Sequence, residues 1–358
     1  MSQKDARAET RLYQHEVEAE KVIGMDLVRA CEAAALNVWR WIGKGDKEAA
    51  DAAATDAIRG MLNLMDICGT CTIGEGIKDE APGIFVGEKL GSWKTGSAAV
   101  SIAVDPIDGT TLTSKGLPGA LSVIAAAQTR SVEERALLAV PSVYMEKIAV
   151  GPKVKEGTGT IRLGASVEQN LELIALKLGK RVRDLVVCIL DRPRHELLIS
   201  DVRRTGAAIR LIGDGDVAGA IAPSMPDSGV DVYMGIGGSP EAVLAAAAIK
   251  CLGGEIQARM WPRDDKEREA LKADGYDAAK IAHVYTTEDM AQGDHIVFAA
   301  TGITDNAMMR GVRVDGRVAV TESIVMRSSS RTVRYIKASH DLTRKTIRVG
   351  SDPHERSV

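Results

Sequence analysis

From residue 186 onward, short apolar runs alternate with helix-length stretches, and this rhythm restricts the chain to folds that layer helices on a mostly parallel, doubly wound sheet. The runs are Val186 to Leu190, Ala208 to Ile212 and Val230 to Gly235, and the helices between and after them span Arg194 to Arg204, a segment from Val217, and Pro240 to Cys251. Upstream, apolar residues at helical spacing (Val22, Met25, Val28, Cys31, Ala35, Val38, Ile42) predict a helix over about residues 16 to 43, followed by a second from Lys47 to Met65. Thr70 to Ile73, Ser101 to Val104, Ala120 to Ala127 and Glu146 to Val150 read as strands of one sheet packed on those helices. Further strands are expected at Ile296 to Ala300, Val318 to Met326 and Thr332 to Lys337.

The fold class is therefore α/β with an α+β N-terminal part, and 358 residues suffice for two domains. The change of texture suggests a charged extension over 1–21, an α+β domain over 22–160, an α/β domain over 161–341 and a polar tail over 342–358.

Composition narrows the function. Forty-six basic against forty-nine acidic residues give a net charge of -3, and only 3% of residues are aromatic, so neither a polyanion-binding face nor a base-stacking platform is expected. Nucleic acid is excluded as a partner, and any phosphate recognised here belongs to a small molecule. The longest apolar stretch, Ala242 to Ile249, is too short to cross a membrane, and Met1 to Glu20 lacks the apolar core of a signal peptide. Five scattered cysteines point to a reducing compartment, the cytoplasm. Cys68 and Cys71 form a C-x-x-C pair with no second pair, and packing is the expected role for both.

Against that background, Asp105-Pro106-Ile107-Asp108-Gly109-Thr110-Thr111 places two carboxylates and hydroxyls in one expected tight turn after an apolar run. Hard oxygen donors so grouped suit Mg²⁺ or Mn²⁺. Alone, such a segment reads as an Asx-type turn. Acids beside glycines recur, however, at Gly74-Glu75-Gly76 with Asp79 and Glu80, and at Gly235-Ile236-Gly237-Gly238-Ser239-Pro240-Glu241; Asp46 and Asp51 flank the start of the second helix. Gly235 to Gly238 does not match G-x-G-x-x-G, so a dinucleotide site is not expected.

These residues resemble the lithium-sensitive sugar phosphatase superfamily, whose Asp-Pro-Ile-Asp-Gly-Thr signature stands intact at 105–110. Within it the chain is similar to class II fructose-1,6-bisphosphatase. Gly43 to Lys47 with Asp51, Ile73 to Gly76, Val143 to Lys147, Asp191 to His195, Asp214 to Val217, Gly235 to Glu241 and Ala300 to Thr304 carry that resemblance from about residue 22 to 340. It implies a layered αβαβα architecture with two sheets and two bound Mg²⁺ or Mn²⁺ ions.

By that resemblance Asp51 and Glu75 hold one ion, and Asp105, Asp108 and Glu241 the second, with Asp105 shared. Thr110 orients the attacking water or the scissile phosphate. Gly109, Tyr144, Arg192, Pro193, Arg194, Asp214, Gly215, Asp216 and Gly238 form the substrate site, the arginines gripping phosphate and the aspartates accepting sugar hydroxyls. Asp108 stands where many members of the family have Glu, and Arg192 where some have Lys. The implied reaction removes the 1-phosphate of fructose 1,6-bisphosphate, in a homodimer or homotetramer. Sedoheptulose 1,7-bisphosphate is the near alternative substrate, and a catalytically silent sugar-phosphate sensor the remote alternative function.

Overall fold

The structure is a computed structural model that describes residues 23–74 and 83–347. The expectations for 1–21, for Glu75, Asp79 and Glu80, and for most of 342–358 therefore lie outside the described residues.

Alternation along the strands builds the layers. In the Ala98–Asp108 strand, Val100, Ile102 and Val104 pack with Leu27, Val38 and Ile58 from two helices, residues 23–38 and Lys47–Leu62. Ala103 points to the other face and joins Leu244, Ala248 and Tyr233. The Ser239–Leu252 helix is apolar all round, and Ala242 through Ile249 are buried, which is possible only for a helix covered on every side. It lies with the short Val217–Ile221 helix between two sheets. On the far side, Ile148, Val187, Ile189 and Val232 pack with Leu171, Ile174 and Val202 of the Val167–Leu178 and Glu196–Thr205 helices. The described residues thus stack as helix, sheet, helix, sheet, helix, the layered α/β architecture expected from the resemblance.

Among the described residues the first sheet has eight strands, running from Arg313–Asp315 through Val318–Arg327, Ile296–Gly302, Leu121–Gln128, Ala98–Asp108 and Ile67–Ile73 to Lys89–Leu90, with Thr332–Asp341 paired to Val318–Arg327. The second has six, in the order Val284–Tyr285, Glu255–Met260, Tyr144–Val150, Val232–Gly238, Val186–Leu190 and Ala208–Ile212. Two sequence expectations need correction. The strand at 146–150 belongs to the second sheet, not the first, because it pairs in antiparallel register with Val232–Gly238. The second sheet is also mixed: Val186–Leu190 runs parallel to both its neighbours, whereas Tyr144–Val150 runs antiparallel to both of its own. The sheets do not follow a boundary at 160, since strands beyond 296 return to the first sheet.

The expected tight turn at Asp105 is also different. Pairing continues to Asp108, with Asp105 opposite Val123 and Asp108 opposite Leu121, so three steps on one strand face two on the other. That is a β-bulge. Strict alternation would send residues three apart to opposite faces; the extra residue turns both aspartates toward the face shared by Val123 and Leu121, the central helical layer. The reversal comes one residue later, at Gly109, whose φ of 95° is the left-handed conformation that glycine adopts without steric penalty.

Candidate active site

Three chain segments meet at the end of the first sheet. Asp105 and Asp108 come from the bulge, Glu241 from the first turn of the central helix, and Asp51 from the Lys47–Leu62 helix. One carboxylate oxygen each from Asp105, Asp108 and Glu241 lie within 4.8 Å of one another. Asp51 joins them through Thr110, whose hydroxyl is placed to donate to Asp51 Oδ1 at 3.2 Å or to the Ile107 carbonyl at 3.3 Å. Local bonds hold the bulge: Ile107 N donates to Asp105 Oδ1 at 3.0 Å, and Val217 N donates to Asp108 Oδ2 at 3.2 Å. Asp46, by contrast, caps the helix by accepting from Ala49 N at 3.0 Å.

The acids are strained electrostatically. Burial, then the charges of Asp216, Glu241 and Asp214, push the Asp108 carboxyl well above the ordinary carboxylate range, against the opposing pull of Lys147. Burial and Asp216 likewise push Glu241 upward. Burial raises Asp51 to about 6, a rise that the Thr110 hydroxyl and Lys47 partly offset. Two oxygens, Asp108 Oδ1 and Glu241 Oε2, are buried with no hydrogen-bond partner among the described residues. Buried polar atoms without partners are rare in folded proteins. Hard anionic oxygens converging with unspent lone pairs fit a divalent cation of the Mg²⁺ or Mn²⁺ type.

Glycine makes room for this cluster. A Cβ on Gly238 would sit 1.9 Å from Glu241 Oε2, and one on Gly237 would sit 1.9 Å from Asp216 Oδ2. The Gly-rich strand end therefore serves close carboxylate approach.

The expected substrate residues ring the same strand ends. Arg192 Nη2 pairs with Asp214 Oδ1 at 2.6 Å, and Thr111 N donates to Asp214 Oδ2 at 3.1 Å, which ties the Gly109 turn to the 213–216 loop. Lys47 Nζ donates to Thr111 Oγ1 at 2.8 Å. Arg194 donates from Nε and Nη2 to the Ile236 carbonyl at 3.1 and 2.8 Å and lies over the Tyr144 ring, Cζ 4.8 Å from its centroid. Pro193 opens the short 3₁₀ turn Pro193–His195 that carries this arginine. Tyr144 pairs across the sheet with Gly238, so the phenol and the helix carrying Glu241 are neighbours. Gly215 packs on Asp108: a Cβ there would meet Asp108 Oδ1 at 2.9 Å.

Asp216 is placed differently from an open sugar ligand. It is 3% exposed, and its Oδ2 accepts from Lys147 Nζ at 2.7 Å and from the Tyr233 hydroxyl at 2.6 Å. Sequence reasoning gave Lys147 no role of its own. The available signal was a lysine between Met145 and Ala149, on the otherwise apolar inward face of its strand. His195 was also missed; its Nδ1 faces the Leu190 carbonyl at 2.7 Å, and its Nε2 accepts from Ile236 N at 2.7 Å, pinning the arginine turn to the Val232–Gly238 strand.

The C-x-x-C cysteines lie within the Ile67–Ile73 strand as free thiols, and burial pushes Cys71 up to about 12. Among the described residues no helix is long and apolar enough to cross a membrane.

Comparison with known proteins identifies the family. A family model described as bacterial fructose-1,6-bisphosphatase, glpX-encoded, matches residues 21–340. The chain is 44% identical over 332 residues to the class 2 fructose-1,6-bisphosphatase of Haemophilus influenzae, covering 90% of this chain and 97% of that one. It is 41% identical over 336 residues to fructose-1,6-bisphosphatase 1 class 2 of Escherichia coli K12, covering 90% of this chain and 96% of the relative. The chain belongs to the glpX-encoded family of bacterial fructose-1,6-bisphosphatases.

Proposed function

We propose that the protein is a divalent-metal-dependent phosphatase that hydrolyses the 1-phosphate of fructose 1,6-bisphosphate, releasing fructose 6-phosphate and phosphate. The observation that carries this reading is the convergence of Asp105, Asp108 and Glu241 within 4.8 Å, with two of their oxygens buried and unpartnered, in a chain of this family.

Asp105, Asp108 and Glu241 would hold one Mg²⁺ or Mn²⁺, and Asp51 with Glu75 a second, Asp105 being shared. Cations held there supply neutralisation of phosphoryl charge and a nucleophile at neutral pH. The chain's own groups do the positioning. Thr110 Oγ1, held between Asp51 Oδ1 and the Ile107 carbonyl, is fixed to accept a hydrogen bond from the attacking water while its own proton points at a carboxylate. Asp51 Oδ1 accepts that proton's hydrogen bond and so fixes the direction in which the Thr110 hydroxyl points. Gly109 and Gly238 let the phosphate approach main-chain N–H groups at two helix starts. Arg194, Tyr144 and the Arg192–Pro193 turn grip the substrate, with Arg192 held by Asp214. Asp214 and Gly215 would face the sugar, and Asp216, buried with Oδ2 taken by Lys147 and Tyr233, would reach it only through Oδ1.

Purified protein supplied with Mn²⁺ or Mg²⁺ is expected to release phosphate from fructose 1,6-bisphosphate, and the absence of release with either metal sinks the reading. Five free thiols support a cytoplasmic location over a disulfide-stabilised exported chain, whereas the homodimer or homotetramer rests on the family resemblance alone, and light scattering of the purified protein reads its mass.

A further inference from the structure

Two arginines are tied to the strand end at Tyr144, and only Arg194, which lies over its ring, belongs to a motif that the resemblance assigns to substrate. The other is Arg263. Trp261 N donates to the Tyr144 carbonyl at 2.9 Å and its ring meets the phenol edge-on, centroids 6.4 Å apart at 73°. Two residues later, Arg263 N and Nε both donate to Glu267 Oε2, at 2.8 and 3.0 Å, while Glu267 Oε1 accepts from Val143 N at 3.1 Å. One carboxylate thereby clips Arg263 to the residue that precedes Tyr144. Glu267 holds the Arg263 guanidinium above its usual range.

The donor count separates the arginines. Arg192 spends Nη1 on the Asp191 and Gly213 carbonyls and Nη2 on Asp214. Arg194 keeps Nη1, and Arg263 keeps both η-nitrogens, without partners among the described residues. Stability gives little reason for this geometry. An ion pair with one partner in solvent contributes little to stability, and Arg263 precedes the Asp264 cap of the Asp265–Ala273 helix, so the pair does not brace a helix face. A bisphosphate substrate supplies a better one: each phosphate monoester carries roughly -1.5 to -2 charge at pH 7, and the phosphate that is not hydrolysed must be held away from the carboxylate cluster.

We infer that Arg263 is a specificity-determining residue that, with Arg194 Nη1 and the Tyr144 hydroxyl, binds the unhydrolysed phosphate monoester of the sugar bisphosphate. The inference rests on the proposed function. Two free η-nitrogens present the fork that matches phosphate oxygens bidentately.

Steady-state kinetics on the metal-loaded wild type, R263Q and R263K test it. In R263Q the KM for fructose 1,6-bisphosphate and the inhibition constant of fructose 6-phosphate are expected to rise about tenfold, the equivalent of ~1.4 kcal/mol. The inhibition constant of fructose 1-phosphate, which lacks the second phosphate, is expected to move less than twofold, and R263K to fall between wild type and R263Q. A merely structural role would shift both inhibition constants together; that result, or constants all within twofold of wild type, overturns the inference while leaving the proposed function standing. A wild type that turns over no fructose 1,6-bisphosphate overturns both.

Discussion

Lys147 Nζ lies 2.7 Å from Asp216 Oδ2, and the two side chains are 0% and 2% exposed. This buried pair sits directly behind the carboxylate cluster. Lys147 opposes the upward push on both Asp108 and Glu241. The Tyr233 hydroxyl completes the satisfaction of Asp216 Oδ2 at 2.6 Å.

Breaking that pair should destabilise the protein severely. Removing one partner of a buried ion pair leaves an uncompensated charge and costs about 3–5 kcal/mol. K147M is expected to show that loss in urea unfolding of the metal-free protein, and K147M/D216N to recover part of it. Equal stability of K147M and wild type would mean that the ammonium contributes nothing there.

D105N should separate metal binding from folding. An asparagine keeps the oxygen that accepts from Ile107 N, so the bulge survives, but the anionic charge toward the cation is lost. Turnover is expected to fall by at least about 10²-fold. In wild type, Mn²⁺ should raise the melting temperature by mass action, and in D105N that rise should shrink or vanish while the metal-free melting temperature stays close to wild type.

G238A should weaken metal binding through Glu241. Gly238 has φ of -60° and ψ of 147°, which alanine adopts freely, and the atom its Cβ would strike at 1.9 Å is the mobile tip of the glutamate. The side chain can swing aside at little cost to the fold. Calorimetric titration with Mn²⁺ is expected to show affinity at least about tenfold weaker, with unfolding unchanged within ~1 kcal/mol.

Asp51 links pH to stability in the metal-free state. Burial raises its folded pKa from 3.8 to about 6, so the folded protein holds this proton more tightly than the unfolded chain does. The stabilising contribution is fully present below pH 3.8 and is lost as pH rises through 6. D51N, which carries no titrating charge, is therefore expected to stabilise the metal-free protein at pH 7 to 8, on the order of 1 kcal/mol after solvent screening, and the gain should disappear near pH 4. Urea unfolding at the two pH values, with a chelator present, checks both sign and window.

Some elements were legible because their determinants are local. Val186–Leu190 and Ala208–Ile212 are apolar runs of strand length bounded by breakers, and the structure starts and stops them at the expected residues. The Ser239–Leu252 helix was likewise marked by Pro240 at its start and Gly253 beyond its end. The acids at 105, 108 and 241 could be singled out from residue type, glycine neighbours and resemblance. Strand pairing is non-local, however. Nothing near Tyr144 says that the strand will join Val232–Gly238 in the second sheet, nor that strands past residue 296 return to the first.

The same distinction runs through the site. Residue order supplies the atoms: anionic oxygens beside glycines, arginines near a proline turn, and the succession of motifs that marks the family. Only tertiary structure decided how they face. The bulge that aligns Asp105 with Asp108 depends on the register against Val123 and Leu121. The Lys147–Asp216 pair joins residues 69 positions apart, and the Glu267 clip on Arg263 reaches back 124 positions to Val143. Register, burial and long-range hydrogen bonds arise when distant segments displace water from one another, and no window of neighbouring residues encodes which segments those will be.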